Sequence, residues 1–304
     1  MTARGRYAPS PTGTTHLGNA STALLAWLSV RASGGAFVLR MEDLDRARVV
    51  PGSAEGILSD LRWLGLDWEE GPDVGGPHRP YAQSERVPHY DAAFEKLRAS
   101  GLVYPCFCSR KDIQSAASAP QAPGDEVRYP GTCRDLDADD ALRRIASGRA
   151  HAFRFRVEPT EVPAFTDRVR GRFEAEPGSI GDFVVRRADG VAAYQLAVVA
   201  DDIAMEIDEV VRGADLLSST VRQLLLYRAF DAPPPSFAHV PLILGDDGVR
   251  LSKRHQGVTL HEMREAGQIP EQIVGRLAHR HGLRATAAPV AARDLVPGFD
   301  LRAF

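Results

Sequence analysis

A chain of 304 residues, with 44% hydrophobic and 25% charged side chains, suits a globular protein of one large or two modest domains at about 150 residues each. Its net charge of -3 sets up no global attraction for nucleic acid, so a polyanionic partner would need a local basic patch. No run approaches the roughly 18 apolar residues of a membrane span. The N-terminal arginines precede no apolar signal core, so a cytoplasmic location is expected.

In chain order, Arg4–Ala8 reads as a short strand, broken by Pro9 and Pro11. Leu17–Ala32 has helical spacing at Leu17, Ala20, Leu24 and Leu28. Ala36–Met41 is an apolar strand, Ser53–Leu64 a helix and His89–Ser100 a further helix stopped by Gly101. Strand and helix in alternation predict a parallel α/β sheet. Between 104 and 135 the pattern changes, with all three cysteines and an Ala/Pro/Ser-rich piece, Ser115–Gly124, that reads as a flexible loop. Alternation at His151–Val157 and Phe183–Arg187 predicts a small antiparallel insertion. Sheet character is expected again at Tyr194–Val199 and Glu206–Val211, then a helix at Ser219–Phe230, a strand at Val240–Leu244 and a helical, Pro-interrupted region from 258 onward. The expected organisation is a first catalytic half (1–102), an insertion with a metal module (103–190), a second catalytic half (191–240), and a loop and helical stem (241–304).

Two distant segments together describe a nucleotide site. In the first, Pro9, Pro11 and Gly13 lead into a helix that begins at His16-Leu17-Gly18-Asn19. Backbone N–H groups at a helix start seat phosphate, and His16 can donate to phosphate oxygens as charge builds. In the second, the turn Gly245-Asp246-Asp247-Gly248 precedes Arg250-Leu251-Ser252-Lys253-Arg254. The basic residues are nearly all arginine, with only Lys96, Lys111 and Lys253 as lysines, so a lysine at 253 invites a phosphate-binding reading. Each segment alone is compatible with an ordinary structural turn. The pair suits adenylation, in which the α-phosphate of ATP is attacked and pyrophosphate leaves.

The pair resembles the two signatures of class I aminoacyl-tRNA synthetases. Arg6 to Gly13, Arg40-Met41-Glu42-Asp43-Leu44-Asp45, Tyr194 to Asp202, and Val211 to Leu217 resemble the glutamyl/glutaminyl branch. Asn19 replaces the second histidine of the first signature. Arg250, Leu251 and Arg254 depart from the second, which keeps Lys253. The resemblance implies a Rossmann-like parallel sheet with a zinc-containing α+β insertion and a short helical stem. It implies ATP contacts from Pro9, Thr12, Gly13, His16, Gly18, Asn19, Arg250, Leu251, Ser252 and Lys253, with His16 and Lys253 catalytic and Mg²⁺ accompanying ATP. Arg6, Tyr7, Ala8, Pro9, Ser10, Glu42, Tyr194 and Arg212 match positions that hold glutamate. Two arginines suit two carboxylates, and Glu42 suits the ammonium. An ion-pair network that merely ties strands together is the alternative.

Cys106 and Cys108, with Cys133 farther on, resemble a structural zinc module. Zinc wants four ligands, and chemistry alone leaves the fourth to Asp, His or water. The resemblance points to Tyr129. Only about fifty residues follow Lys253, too few for an anticodon-binding half. That length and the Cys-Cys-Tyr-Cys pattern resemble the glutamyl-Q tRNA(Asp) synthetases. This family activates glutamate without tRNA and transfers it to queuosine at the wobble position of tRNA(Asp). The expected partners are therefore ATP, L-glutamate and that anticodon loop, with no obligate protein partner and a monomeric chain. Arg168 to Phe173 reads equally as an RNA contact or a solvated basic hairpin. The alternatives are a truncated glutamyl-tRNA synthetase that charges a 3′ end, or a non-catalytic paralogue that binds amino acid or RNA. A dehydrogenase is disfavoured, since no G-x-G-x-x-G follows the first strand.

Overall fold

The computed structural model describes residues 2–116, 128–158, 160, 163–176, 178–243 and 259–304. The chain opens with strand β1 (Arg4–Tyr7), helix α1 (Leu17–Ala32), strand β2 (Ala36–Leu39), and helices α2 (Ser53–Trp63) and α3 (Val87–Ala99). The intervening region holds β3 (Val103–Cys106), α4 (Arg110–Ala116), α5 (Ala138–Ala146), β4 (Ala152–Phe155), β5 (Phe165–Asp167), β6 (Gly171–Phe173) and β7 (Phe183–Arg186). Then come α6 (Tyr194–Ala204), β8 (Glu209–Gly213), α7 (Leu217–Ala229), β9 (Ser236–Val240), α8 (Leu260–Glu265) and α9 (Pro270–Arg280).

The main sheet runs β2-β1-β8-β9, parallel throughout. Helix α1 is buried around most of its circumference, from Leu17 through Val30, as expected of a helix that packs against a sheet and is itself covered. Gly5 allows the close approach of β1, because a Cβ there would lie 2.4 Å from Val30 Cγ2. The sheet's first half is β1 and β2, and its second is β8 and β9. Their junction is the crevice in which open α/β sheets bind ligands, at the carboxyl ends of the strands. The insertion forms an antiparallel β3-β4-β7 sheet and a separate β5-β6 hairpin. That hairpin docks on the main sheet, where the Arg168 N–H bonds to the Phe237 carbonyl at 2.9 Å.

Two expectations need correction. Tyr194–Val199 is the start of helix α6, not a strand. Its run Leu196-Ala197-Val198-Val199 is buried on every side, and a short, fully apolar run does not distinguish strand from buried helix. The helix also carries Asp201 and Asp202 into the interior, at 0% and 3% exposure, which only strong partners allow. The strand expected at Val240–Leu244 lies earlier: β9 ends at Val240, residues 241–243 are irregular, and Leu244 falls outside the described residues. The loop expected at Ser115–Gly124 lies mostly outside them too, as does the turn at Gly245 to Gly248. No helix among the described residues is long and apolar enough to cross a membrane.

Candidate active site

A cavity of about 750 Å³ opens at the carboxyl ends of β1 and β8. At one end it is lined by Pro9, Thr12, Gly13, His16, Gly18 and Asn19. At the other stand Arg6, Tyr7, Ala8, Glu42, Tyr194 and Arg212, with Ser10 between. Every described residue assigned to ATP or to glutamate thus borders one space. Arg250, Leu251, Ser252 and Lys253 lie outside the described residues. Their flanks can be placed: Leu242 and Ile243 line the cavity, and Thr259 forms an antiparallel bridge with His16. The Leu260 N–H also bonds the Thr15 carbonyl at 2.8 Å.

Local bonds set the N-terminal turn. Gly13 has φ 138°, a conformation that favours glycine. Its N–H donates to Ser53 Oγ at 3.1 Å, and the Ser53 hydroxyl returns a bond to the Gly13 carbonyl. The Glu42 N–H bonds the Pro9 carbonyl at 2.9 Å, and the Val50 N–H bonds the Pro11 carbonyl at 3.0 Å. The segment after β2 therefore clamps the turn that precedes α1. A Cβ on Gly18 would meet nothing within 4 Å. The protein's own packing does not require glycine there, so the open space is room for a ligand.

The amino-acid end rests on a buried charge network. Arg6 directs its Nε–Nη2 edge at Asp202, at 3.2 Å for each bond. Arg40, wholly buried, bonds Asp202 at 2.7 Å and Glu42 at 3.3 Å. Asp201 is satisfied by Arg86, Gln83 and Tyr90 at 2.6, 2.8 and 2.9 Å. Burial opposes the charge on Asp202, but Arg6 and Arg40 outweigh it and hold that carboxyl below its usual range. Burial pushes Glu42 upward, only partly offset by Arg40 and Arg6. A bound cation beside Glu42 would reverse that shift. The strand-tying network proposed as an alternative does exist, but its centre is Arg40, Asp201 and Asp202, residues with no assigned role in the sequence reading.

Arg212 differs from Arg6 and Arg40. It is 4% exposed, and its bonds go to neutral groups: His239 Nε2 at 3.0 Å and Thr220 Oγ1 at 2.8 Å. Its Nη1 is buried with no partner. Burial, with Arg6 nearby, holds its pKa below the ordinary guanidinium range. A buried cation with a spare donor is costly unless an anion joins it. Tyr194, 40% exposed, stands at the rim of the same space.

The cysteines form a second cluster, away from the cavity. Cys106 ends β3, Cys108 follows it, and Tyr129 and Cys133 return before α5. The three sulfurs lie within 4.8 Å of one another. Cys108 and Cys133 are 3.6 Å apart, and the Tyr129 hydroxyl is 3.4 Å from Cys106 Sγ and 3.7 Å from Cys108 Sγ. A tetrahedral ion with metal–sulfur bonds near ~2.3 Å requires sulfur–sulfur edges of about 3.8 Å, so the four side chains fit one. Burial would raise the Cys106 thiol, but bonds from Tyr129 and Arg154 bring it below its usual value. Burial and the neighbouring Cys133 push Cys108 up to about 11. Arg154 lies 3.2 Å from Cys106 Sγ and stacks over the Tyr129 ring at 3.8 Å, which favours anionic ligands.

Residues 2–292 match the family model of "tRNA synthetases class I (E and Q), catalytic domain". The chain is 55% identical over 298 residues to a glutamyl-Q tRNA(Asp) synthetase of Symbiobacterium thermophilum, covering 98% of this chain and 92% of that protein. A protein of the same name from Nitratidesulfovibrio vulgaris is 52% identical, covering 96% and 90%. Similarity extends to longer proteins. A glutamate–tRNA ligase of Halorhodospira halophila is 45% identical over 99% of this chain, which spans 63% of that protein. A crystal structure of a glutamate tRNA ligase from Elizabethkingia meningosepticum, in complex with its amino acid, matches all of this chain at 31% identity and TM-score 0.87. The chain spans 66% of that ligase. The chain therefore belongs to the class I tRNA synthetases of the E and Q type, as a member built on their catalytic domain.

Proposed function

We propose that this chain activates glutamate with ATP, without tRNA, and transfers the glutamyl group to queuosine at the wobble position of tRNA(Asp). The names of the relatives that match over nearly their whole length support the reading. The observation that carries it is one cavity lined by both a helix start and a buried, anion-lacking Arg212.

The α-carboxylate of glutamate must reach the α-phosphorus, so it points toward the His16 end. The side-chain carboxylate then falls to Arg212, a cation that lines the cavity and whose bonds go to neutral groups only. Glu42 takes the ammonium. An α-carboxylate oxygen attacks the α-phosphorus, the bond to the bridging oxygen breaks, and pyrophosphate departs. His16 and Lys253 stabilise charge on the phosphates, with ATP entering as its Mg²⁺ complex, in which the ion neutralises phosphate charge. A queuosine hydroxyl then attacks the activated carbonyl, loses its proton and expels AMP. No side-chain nucleophile is required, because positioning and electrostatics suffice. The reading includes a monomeric chain in the cytoplasm, where its proposed substrates occur.

Transfer of labelled glutamate to tRNA(Asp) bearing queuosine, and to the same tRNA lacking it, tests the function. Label on the modified tRNA alone is expected. The ligase relatives favour a second reading, charging of a 3′ end. Label that appears on unmodified tRNA would establish it instead.

Gly18→Ala should raise KM for ATP roughly tenfold by filling the open space, the cost of about 1.4 kcal/mol of lost binding. Thermal stability should hold or rise, since alanine is about 0.5–1 kcal/mol better than glycine inside a helix. A falling melting temperature with unchanged KM would refute this.

We further propose that Cys106, Cys108, Cys133 and Tyr129 hold a structural zinc ion, which ties the end of β3 to the start of α5. Metal analysis should find about one zinc per chain. Cys133→Ser should lose it and lower the melting temperature by at least about 5 °C. Tyr129→Phe should weaken retention against a chelator. Equal retention would leave the fourth place to another ligand.

A further inference from the structure

Asp167 and His239 lie in no assigned role, yet both are almost wholly buried, at 2% and 0% exposure. His239 is on β9, directly opposite Arg212 on β8 in the parallel register. Asp167 comes from β5, in the hairpin that docks on this sheet. Its Oδ2 is 2.6 Å from His239 Nδ1. Its Oδ1 accepts the N–H groups of Val169, Arg170 and His239 at 3.0, 2.9 and 3.1 Å. The carboxylate is therefore rigidly seated. It demands a proton on Nδ1, which leaves Nε2 as a bare lone pair. That lone pair meets the Arg212 Nε–H at 3.0 Å, while Thr220 Oγ1 takes Nη2 at 2.8 Å and lies 3.2 Å from the same Nε2.

We propose that Asp167 and His239 are positioning residues that fix the Arg212 guanidinium for glutamate's side-chain carboxylate without neutralising it. This rests on the reading of Arg212 given above. The choice of acceptor explains the design. A carboxylate beside Arg212 would hold it equally well, but would cancel its charge and compete with the substrate. A neutral imidazole supplies an acceptor and no negative charge. The surroundings keep it neutral: burial lowers the His239 pKa, Arg212 and Arg170 lower it further, and these outweigh the opposing pull of Asp167. Protonated His239 would present N–H against N–H and push Arg212 away. The β5-β6 hairpin thereby contributes to the pocket without touching it.

The test is glutamate-dependent ATP–pyrophosphate exchange with His239→Phe and His239→Gln, alongside ¹⁵N spectra of the imidazoles in the unaltered chain. His239→Phe keeps the bulk but removes the acceptor. It should raise KM for glutamate about tenfold or more while KM for ATP and kcat stay within about twofold. His239→Gln, which restores an oxygen acceptor, should recover most of that loss. The spectra should show His239 protonated on Nδ1 with a bare Nε2 near neutral pH. An unchanged glutamate KM in His239→Phe, or equal losses for ATP and glutamate, overturns the proposal. Should the Phe variant not fold, an Nε2–H tautomer in the unaltered chain overturns it as well, as does a folded His239→Gln whose glutamate KM still rises about tenfold or more despite its oxygen acceptor. Absence of any glutamate-dependent exchange by the unaltered chain would sink the substrate reading, whereas the tautomer still reports on the triad alone.

Discussion

Arg212→Gln should raise KM for glutamate by roughly two to three orders of magnitude, the range expected when one member of a buried charge pair is removed. The size follows from where Arg212 sits. Its bonds to His239 and Thr220 hold it in place but leave Nη1 unused. The variant would bury glutamate's carboxylate with no cation to meet it. Around that position Tyr7, Val211 and Leu216 also line the cavity, and none of them offers a cation in its place. Exchange measured at varied glutamate and at varied ATP separates the effect: KM for ATP should change by no more than about twofold. The preference for glutamate over glutamine should narrow too, because the guanidinium is what distinguishes a charged carboxylate from an amide. A glutamate KM near that of the unaltered chain would place the side-chain carboxylate elsewhere, with Arg6 the next candidate.

The two halves of this site were not equally legible. The first segment of the nucleotide end is local: strand end, Pro and Gly turn, His16 and helix follow one another within twenty residues, and punctuation plus helical spacing identify them. Cys106, Cys108 and Cys133 were legible because chemistry restricts what clustered thiols do. The support beneath the amino-acid end is non-local. Asp202 reaches Arg6 across 196 positions, and Asp167 reaches His239 across 72. No pattern in a single sequence links an aspartate in a short hairpin to a histidine inside an apolar strand. One signal was available: Asp201 and Asp202 interrupt an apolar run, and paired carboxylates there must find cations. The misassigned strand at Tyr194–Val199 hid it, because as a helix the same residues direct Tyr194 to the cavity rim while Asp202 faces Arg6 and Arg40. Tertiary burial, not local propensity, decides such a segment.

Lys253→Ala should slow glutamate-dependent exchange by about two to three orders of magnitude, the cost of removing one group aimed at developing charge. KM for glutamate should stay within about twofold. The argument joins sequence to the described flanks. Residue 243 borders the cavity, and Thr259, bridged to His16, marks the chain's return to the same helix start. Between them lies the segment with the only lysine beyond Lys111. The segment's return is thus tied to the helix start at His16, and its departure borders the same cavity as Arg212 and Glu42. Charge lost at 253 should therefore act on departing pyrophosphate and not on bound glutamate. Lys253→Arg discriminates further: a planar guanidinium keeps the charge but not the compact ammonium geometry, so partial recovery is expected. Full recovery would mean that only net charge matters there, and an unchanged rate in Lys253→Ala would remove the residue from the reaction.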